Sequence, residues 1–186
     1  MLPKGFGIMK KFSLIIAALV FSASLMAQPF PTTFKSIQIT GNYKAVAKQL
    51  EAEGFKASYF GSDMFNGTIN GKKVIVVLEM NEKIDQICSF KISDGDYDKY
   101  DADKISAIFN EIYDIFDKNP KYTSDRENKK AKGEASFGPT PMGVVYTAKF
   151  YQDGDPNRLV ELTIGRIAGK YYKELRFKNC YNQGEF

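Results

Sequence analysis

In the run Asp94-Gly95-Asp96-Tyr97-Asp98-Lys99-Tyr100-Asp101, the first three carboxylates stand at alternate positions. Asp94, Asp96 and Asp98 have the spacing of the first three ligands of a calcium loop, where side-chain oxygens converge on a hard cation. The rest of the pattern fails. Lys99 stands where glycine makes the sharp turn, and Ile105 where a bidentate carboxylate closes the site. These acids therefore read first as a solvated connection that caps a helix, with calcium as the rival reading.

The chain of 186 residues contains no His. Without imidazole, no Ser-His or Cys-His nucleophile can form, and the usual general base near neutral pH is missing. Zinc, copper and non-haem iron sites lean on the same ligand, so any metal would be a hard, oxygen-bound ion. No cofactor is expected. Glu51 with Glu53, and Asp114 with Asp117, resemble the carboxylate pairs of glycosidases, but they fall on helix surfaces where charges are normally solvated. The expectation is a protein that is not an enzyme.

Cys88 and Cys180 are the only two cysteines. In an oxidising compartment they could form one disulfide; as buried thiols they would stay free, and sequence alone leaves both open. Neither lies in a CxxC, which argues against redox catalysis. Asn66-Gly67-Thr68 fits a glycosylation acceptor; the Lys10-Lys11 start has a bacterial look, and in such a chain the pattern would be without consequence. Near the C-terminus, Tyr171, Leu175 and Phe177 alternate with Tyr172, Glu174, Arg176 and Lys178. The first set should face a core. The second set, with Tyr151, would make an outer face on which Tyr151, Tyr172 and Arg176 are candidate interface anchors.

The elements that must position these residues follow from periodicity. Phe34–Thr40 alternates and reads as a short strand. Asn42 then caps a helix whose apolar stripe is Tyr43, Val46, Ala47 and Leu50, ended by Gly54. Four strands are expected over Phe55–Phe60, Met64–Ile69, Lys72–Met80 and Ile84–Ile92, with Asn70-Gly71 as a hairpin turn. The third is apolar on both sides, so it should be a central strand covered on both sides at its middle. Asp101–Lys118 is a second amphipathic helix, with acids at its start. A polar stretch, 121–142, reads as a long loop that is mobile or functional. Strands at Gly143–Gln152, Arg158–Gly165 and Lys170–Asn179 complete the chain. Tight turns make the sheet mostly antiparallel, with both helices on one face, and the two halves share a helix-then-strands plan.

The first 27 residues have the three parts of an export signal. Lys4, Lys10 and Lys11 precede an apolar run, Phe12–Met26, and small Ala27 marks the cleavage edge. The run is short for a membrane span, which needs roughly 20 residues. Met9-Lys10-Lys11 also looks like a natural start. Removing three Lys and no acid takes the net charge from +4 to +1, which gives no support for nucleic-acid binding. The mature protein, 28–186, is expected in the periplasm or outside the cell, with no span after cleavage.

The stretch FKSIQITGNYKAVAKQLEAEGF resembles the opening of a group of small, exported, uncharacterised α+β proteins of Bacteroidetes-type bacteria, through Phe34, Lys35, Ile37, Ile39, Gly41, Leu50, Gly54 and Phe55. FNGTINGKKVIVV is similar to the same group, whereas Lys118-Asn119-Pro120 departs from it. The resemblance implies a fold and is silent on chemistry. A looser similarity, to beta-lactamase-inhibitor-like helix-plus-meander modules, implies a protein that binds other proteins. The expectation is a single α+β domain acting as an exported, non-catalytic binding or interaction module. The alternatives are a carrier of a small apolar ligand, held between the sheet and the 121–142 stretch, and a carboxylate-based hydrolase.

Overall fold

Every amphipathic element must bury one side, and here the buried sides meet in a single core between two helices and one face of a sheet. The structure, a computed structural model, describes residues 32–95, 100–139 and 142–182. The proposed export signal, Asp96 and Asp98 lie outside the described residues. Strands β1 (Thr33–Phe34) and β2 (Ile37–Gln38) form a small hairpin. Helix α1 (Tyr43–Ala52) is followed by β3 (Lys56–Ser58), β4 (Gly61–Ile69), β5 (Lys72–Asn81) and β6 (Gln86–Asp94). Helix α2 (Ala102–Asp117) is followed by β7 (Tyr122–Ser124), β8 (Gly143–Gln152), β9 (Arg158–Ile167) and β10 (Lys170–Asn179).

The eight-stranded antiparallel sheet runs β3-β4-β5-β6-β10-β9-β8-β7. Each half is thus a helix followed by a four-strand meander. The halves join through their last strands, with Phe90 opposite Phe177 and Ile92 opposite Leu175. Both helices start as their sequences dictate. Asn42 Oδ1 accepts the Ala45 N–H at 3.0 Å, and Asp101 Oδ1 accepts the Lys104 N–H at 2.8 Å. At the end of α1, the Phe55 N–H reaches the Leu50 carbonyl and the Gly54 N–H that of Glu51, each at 3.0 Å. Asn70 and Gly71, with φ of 51° and 77°, make the tight turn between β4 and β5, where glycine avoids the cost of left-handed backbone.

The core is largely aromatic. Phe116 stacks on Phe150 at 5.1 Å, Tyr113 meets the same ring at 5.4 Å, and Phe34 lies 5.3 Å from Phe177. Phe34 comes from the β1–β2 hairpin, which corrects the expected single strand over Phe34–Thr40. The chain reverses at Lys35 (φ 53°), so Ile37 and Ile39 enter the core under α1 rather than extending the main sheet.

The 121–142 stretch also differs from the expected loop. Its start supplies the edge strand β7, and its middle is pinned to α2. The Asn110 amide accepts the Ala131 N–H at 2.9 Å and donates to the Ala131 carbonyl at 3.0 Å. Phe137 is 2 % exposed and packs 4.9 Å from Tyr171. Burying Ala131 and Phe137 ties down a segment whose composition is that of a solvated loop.

Candidate functional site

Side chains alternate across a strand, so the residues opposite the core point to a second face of the sheet. Both helices lie on the other side. Val74, Val76 and Leu78 of β5 join the core, whereas Ile75 and Val77 face outward. The strand is central and buried on both sides at its middle, as expected, but helices cover only one of those sides. Ile75 is nevertheless only 7 % exposed. It is shielded by outward neighbours on the surrounding strands, which shape an open groove.

The groove has a volume of about 420 Å³. Its apolar walls are Met64, Ile75, Val77, Ile167 and Tyr172, and its charged rim is Asp63, Lys91, Asp94, Lys170, Lys173 and Glu174. Tyr172 sits opposite Gly165 in the β9–β10 register. The hydroxyl end of its ring lies over that glycine, and a Cβ there would overlap it, 2.0 Å from Cζ. The missing side chain of Gly165 is what lets Tyr172 lie down as a wall. Burial, and then the nearby Glu174 charge, push the Tyr172 hydroxyl above its ordinary range, so it stays a neutral donor. Much of the rim is already paired: Lys91 lies 3.9 Å from Glu174, and Lys173 is salt-bridged to Asp94.

The remainder of the same face is a ladder of ions. Arg176 reaches Glu174 at 3.1 Å and Glu79 at 3.3 Å, and Lys178 reaches Glu161 at 2.6 Å. Ser89 donates to Glu79. In the register Arg176 stands between Lys91 on β6, a like charge, and Glu161 on β9, and it reaches past Lys91 to Glu79 on β5 and along its own strand to Glu174. Beyond the ladder, Tyr151 donates to Asp125 Oδ2 at 2.8 Å. That bond first, and burial second, raise the Tyr151 hydroxyl. Tyr151 lines a polar cleft of about 690 Å³ with Thr123, Asp125, Arg126, Asn128 and Lys149.

Tyr151, Tyr172 and Arg176 therefore share a face, as their spacing predicts, but do not converge. Tyr172 walls the groove, Arg176 sits in the ion ladder, and Tyr151 belongs to the polar cleft. The cleft beside the 121–142 stretch is polar, which corrects the expectation of an apolar ligand site there; the apolar groove lies at the other end of the sheet.

The remaining candidates have local partners. Asp94 pairs with Lys173 and accepts the Tyr100 hydroxyl at 3.3 Å. Asp114 binds Lys130 at 2.6 Å and Lys118 at 3.3 Å, and those bonds hold its carboxyl below the usual range. Asp117 accepts Ser124 Oγ at 2.5 Å, and Glu53 accepts Ser36 Oγ at 3.0 Å; Glu51 lies exposed on α1. Asn66 is an exposed residue of β4.

Cys88 and Cys180 carry free thiols rather than a disulfide. Cys88 Sγ donates to the Glu79 carbonyl at 3.3 Å. Burial raises both thiols, and at Cys88 the Glu79 charge adds to it. A register shift near the end of β5 and the start of β6 displaces Cys88 from the Phe90–Ile92 side on which simple alternation places it.

Sequence reading missed Met64, Ile75, Val77 and Ile167 as a site. Ile75 and Val77 were visible as the second apolar side of β5, but that signal also fits a strand covered on both faces. No protein-family model, no curated protein and no solved structure matches this chain.

Proposed function

We propose that this protein is an extracytoplasmic, non-catalytic binding module that holds an apolar segment of a partner protein in the groove on the helix-free face. The observation that carries the reading is the groove itself: Met64, Ile75, Val77, Ile167 and Tyr172 form an apolar recess on an open sheet face. Apolar patches on an otherwise polar face mark interaction sites. The ion ladder beside it gives the contact a polar rim, as in protein interfaces generally. Against the hydrolase reading, Asp114, Asp117 and Glu53 are engaged by lysine and serine side chains at helix surfaces. The proposed export rests on Lys10, Lys11 and the Phe12–Met26 run.

A second reading, a carrier of a small apolar molecule, is favoured by the groove's volume, which falls within the range of roughly 300–1,000 Å³ for ligand sites. One experiment separates the two. A photo-activatable residue replaces Val77 in cells that export the protein, and the adducts are weighed. A protein adduct that disappears with Ile167→Glu supports the partner; a small lipid-like adduct supports the carrier. No adduct at Val77, with an adduct from a probe at Lys149 instead, contradicts both.

A further inference from the structure

At the turn between β3 and β4 stand the two most exposed aromatics among the described residues, Tyr59 at 98 % and Phe60 at 88 %. Their rings meet edge to face at 6.0 Å, and Ser58 Oγ accepts the Phe60 N–H at 3.2 Å, so the pair projects as one wedge. Leaving two adjacent aromatics in water forgoes a large hydrophobic gain, and exposed aromatics of this kind are typical binding anchors. The wedge borders the groove. Gly61, the next residue, lies against Met64, since a Cβ on it would sit 3.3 Å from the Met64 sulfur, and Met64 is a groove wall.

We propose that, when no other partner is bound, the groove is filled by the Tyr59–Phe60 turn of a second copy of this chain, exchanged both ways in a two-fold dimer. The proposal rests on the reading of the groove as a binding surface. Two further observations select a second copy as the occupant.

The first is charge. Asp63 and Lys170 are groove residues for which, among the described residues, no ion pair forms, whereas Lys91, Lys173, Asp94 and Glu174 are paired. Asp63 follows the wedge by three residues and travels with it, so each copy can bring Asp63 toward the other copy's free Lys170. The second is area. A buried aromatic side chain covers roughly 150–250 Å², so four of them and the walls that receive them cover about 1,200–2,000 Å² in all, the size of a specific, stable interface. A two-fold exchange also closes the assembly at two copies, since both wedges and both grooves are used.

Sedimentation velocity of the purified chain tests this. The wild type is expected to form a concentration-dependent dimer, and the Tyr59→Ser, Phe60→Ser double variant to be monomeric with an unchanged melting temperature. Asp63→Lys or Lys170→Asp alone should weaken the dimer several-fold, and the two together should restore it. A monomeric wild type, a dimer that survives loss of both aromatics, or a double reversal no better than its single reversals would overturn the proposal.

Uptake of the apolar dye N-phenyl-1-naphthylamine separates this failure from that of the groove itself. It should be stronger in the wedge variant than in the wild type. Equal, saturable uptake by a monomeric wild type and by the wedge variant would defeat the dimer and leave the groove as a binding surface. No uptake by the wedge variant would defeat both.

Discussion

The two faces of the sheet use the same strands and the same alternation, yet among the described residues only one is covered by a second layer. On the helix face, Phe150 meets Tyr113 and Phe116 of α2, and Phe177 meets Phe34 of the β1–β2 hairpin. On the opposite face, Ile75 is nearly as buried, but its cover consists of side chains on neighbouring strands. What differs is the partner layer: a helix supplies ridges that fill the space between strands, whereas side chains projecting from a twisted sheet leave a trough between them. The first arrangement gives stability. The second leaves an apolar surface open, which is the basis of the proposed binding role.

The sharpest way to break this comparison is to cut one residue on each face. Phe150→Ala should cost about 3–5 kcal/mol in urea unfolding, since it opens a cavity among rings that cannot collapse. Val77→Glu, in the open groove, should cost about 1 kcal/mol or less while abolishing binding. Equal losses would mean that the two faces are not different in kind.

Gly165→Ala sharpens the account of the groove wall. The added methyl overlaps the Tyr172 ring and should destabilise by about 1–3 kcal/mol. In a Tyr172→Ala background the same change should be close to neutral. Persistence of the penalty there would place its cause in the backbone rather than in the ring.

Smaller effects are expected in the ion ladder. Arg176, Glu79 and Glu174 keep 29 %, 36 % and 19 % side-chain exposure, so water screens their attraction. Arg176→Met should change stability by no more than about 1 kcal/mol in either direction. The smallest signal is chemical. Burial and the Glu79 charge favour the protonated thiol of Cys88, so its alkylation should lag behind that of a free thiol at mildly alkaline pH and rise only at higher pH. Alkylation that follows the free thiol would show that Cys88 is more open than its surroundings imply.

Much of the helix face was legible in the sequence. The stripe Tyr43, Val46, Ala47 and Leu50 packs as spaced, Asn42 and Asp101 cap as their types dictate, and Asn70-Gly71 turns. These features are local, governed by a few neighbouring residues. The edge strand β7 was hidden because Tyr122–Ser124 acquires its pairing from β8, far along the chain. The burial of Phe137 was hidden for the same reason, since a lone aromatic in a polar stretch carries no period. The groove was hardest of all. Ile167 and Met64 lie on strands at opposite sides of the groove, and their shared wall arises from strand order and twist. Tyr59 and Phe60 looked like the end of a strand, because aromatic residues favour strands, whereas β3 stops at Ser58.

The central claim is that the helix-free face, at its apolar groove, is where this molecule binds. Its most direct test is a fluorescence titration of N-phenyl-1-naphthylamine against the Tyr59→Ser, Phe60→Ser chain, with and without Val77→Glu. The account predicts saturable uptake that Val77→Glu removes and that Glu161→Gln, in the ion ladder, leaves intact. Uptake unchanged by Val77→Glu, or no uptake at all, would contradict it.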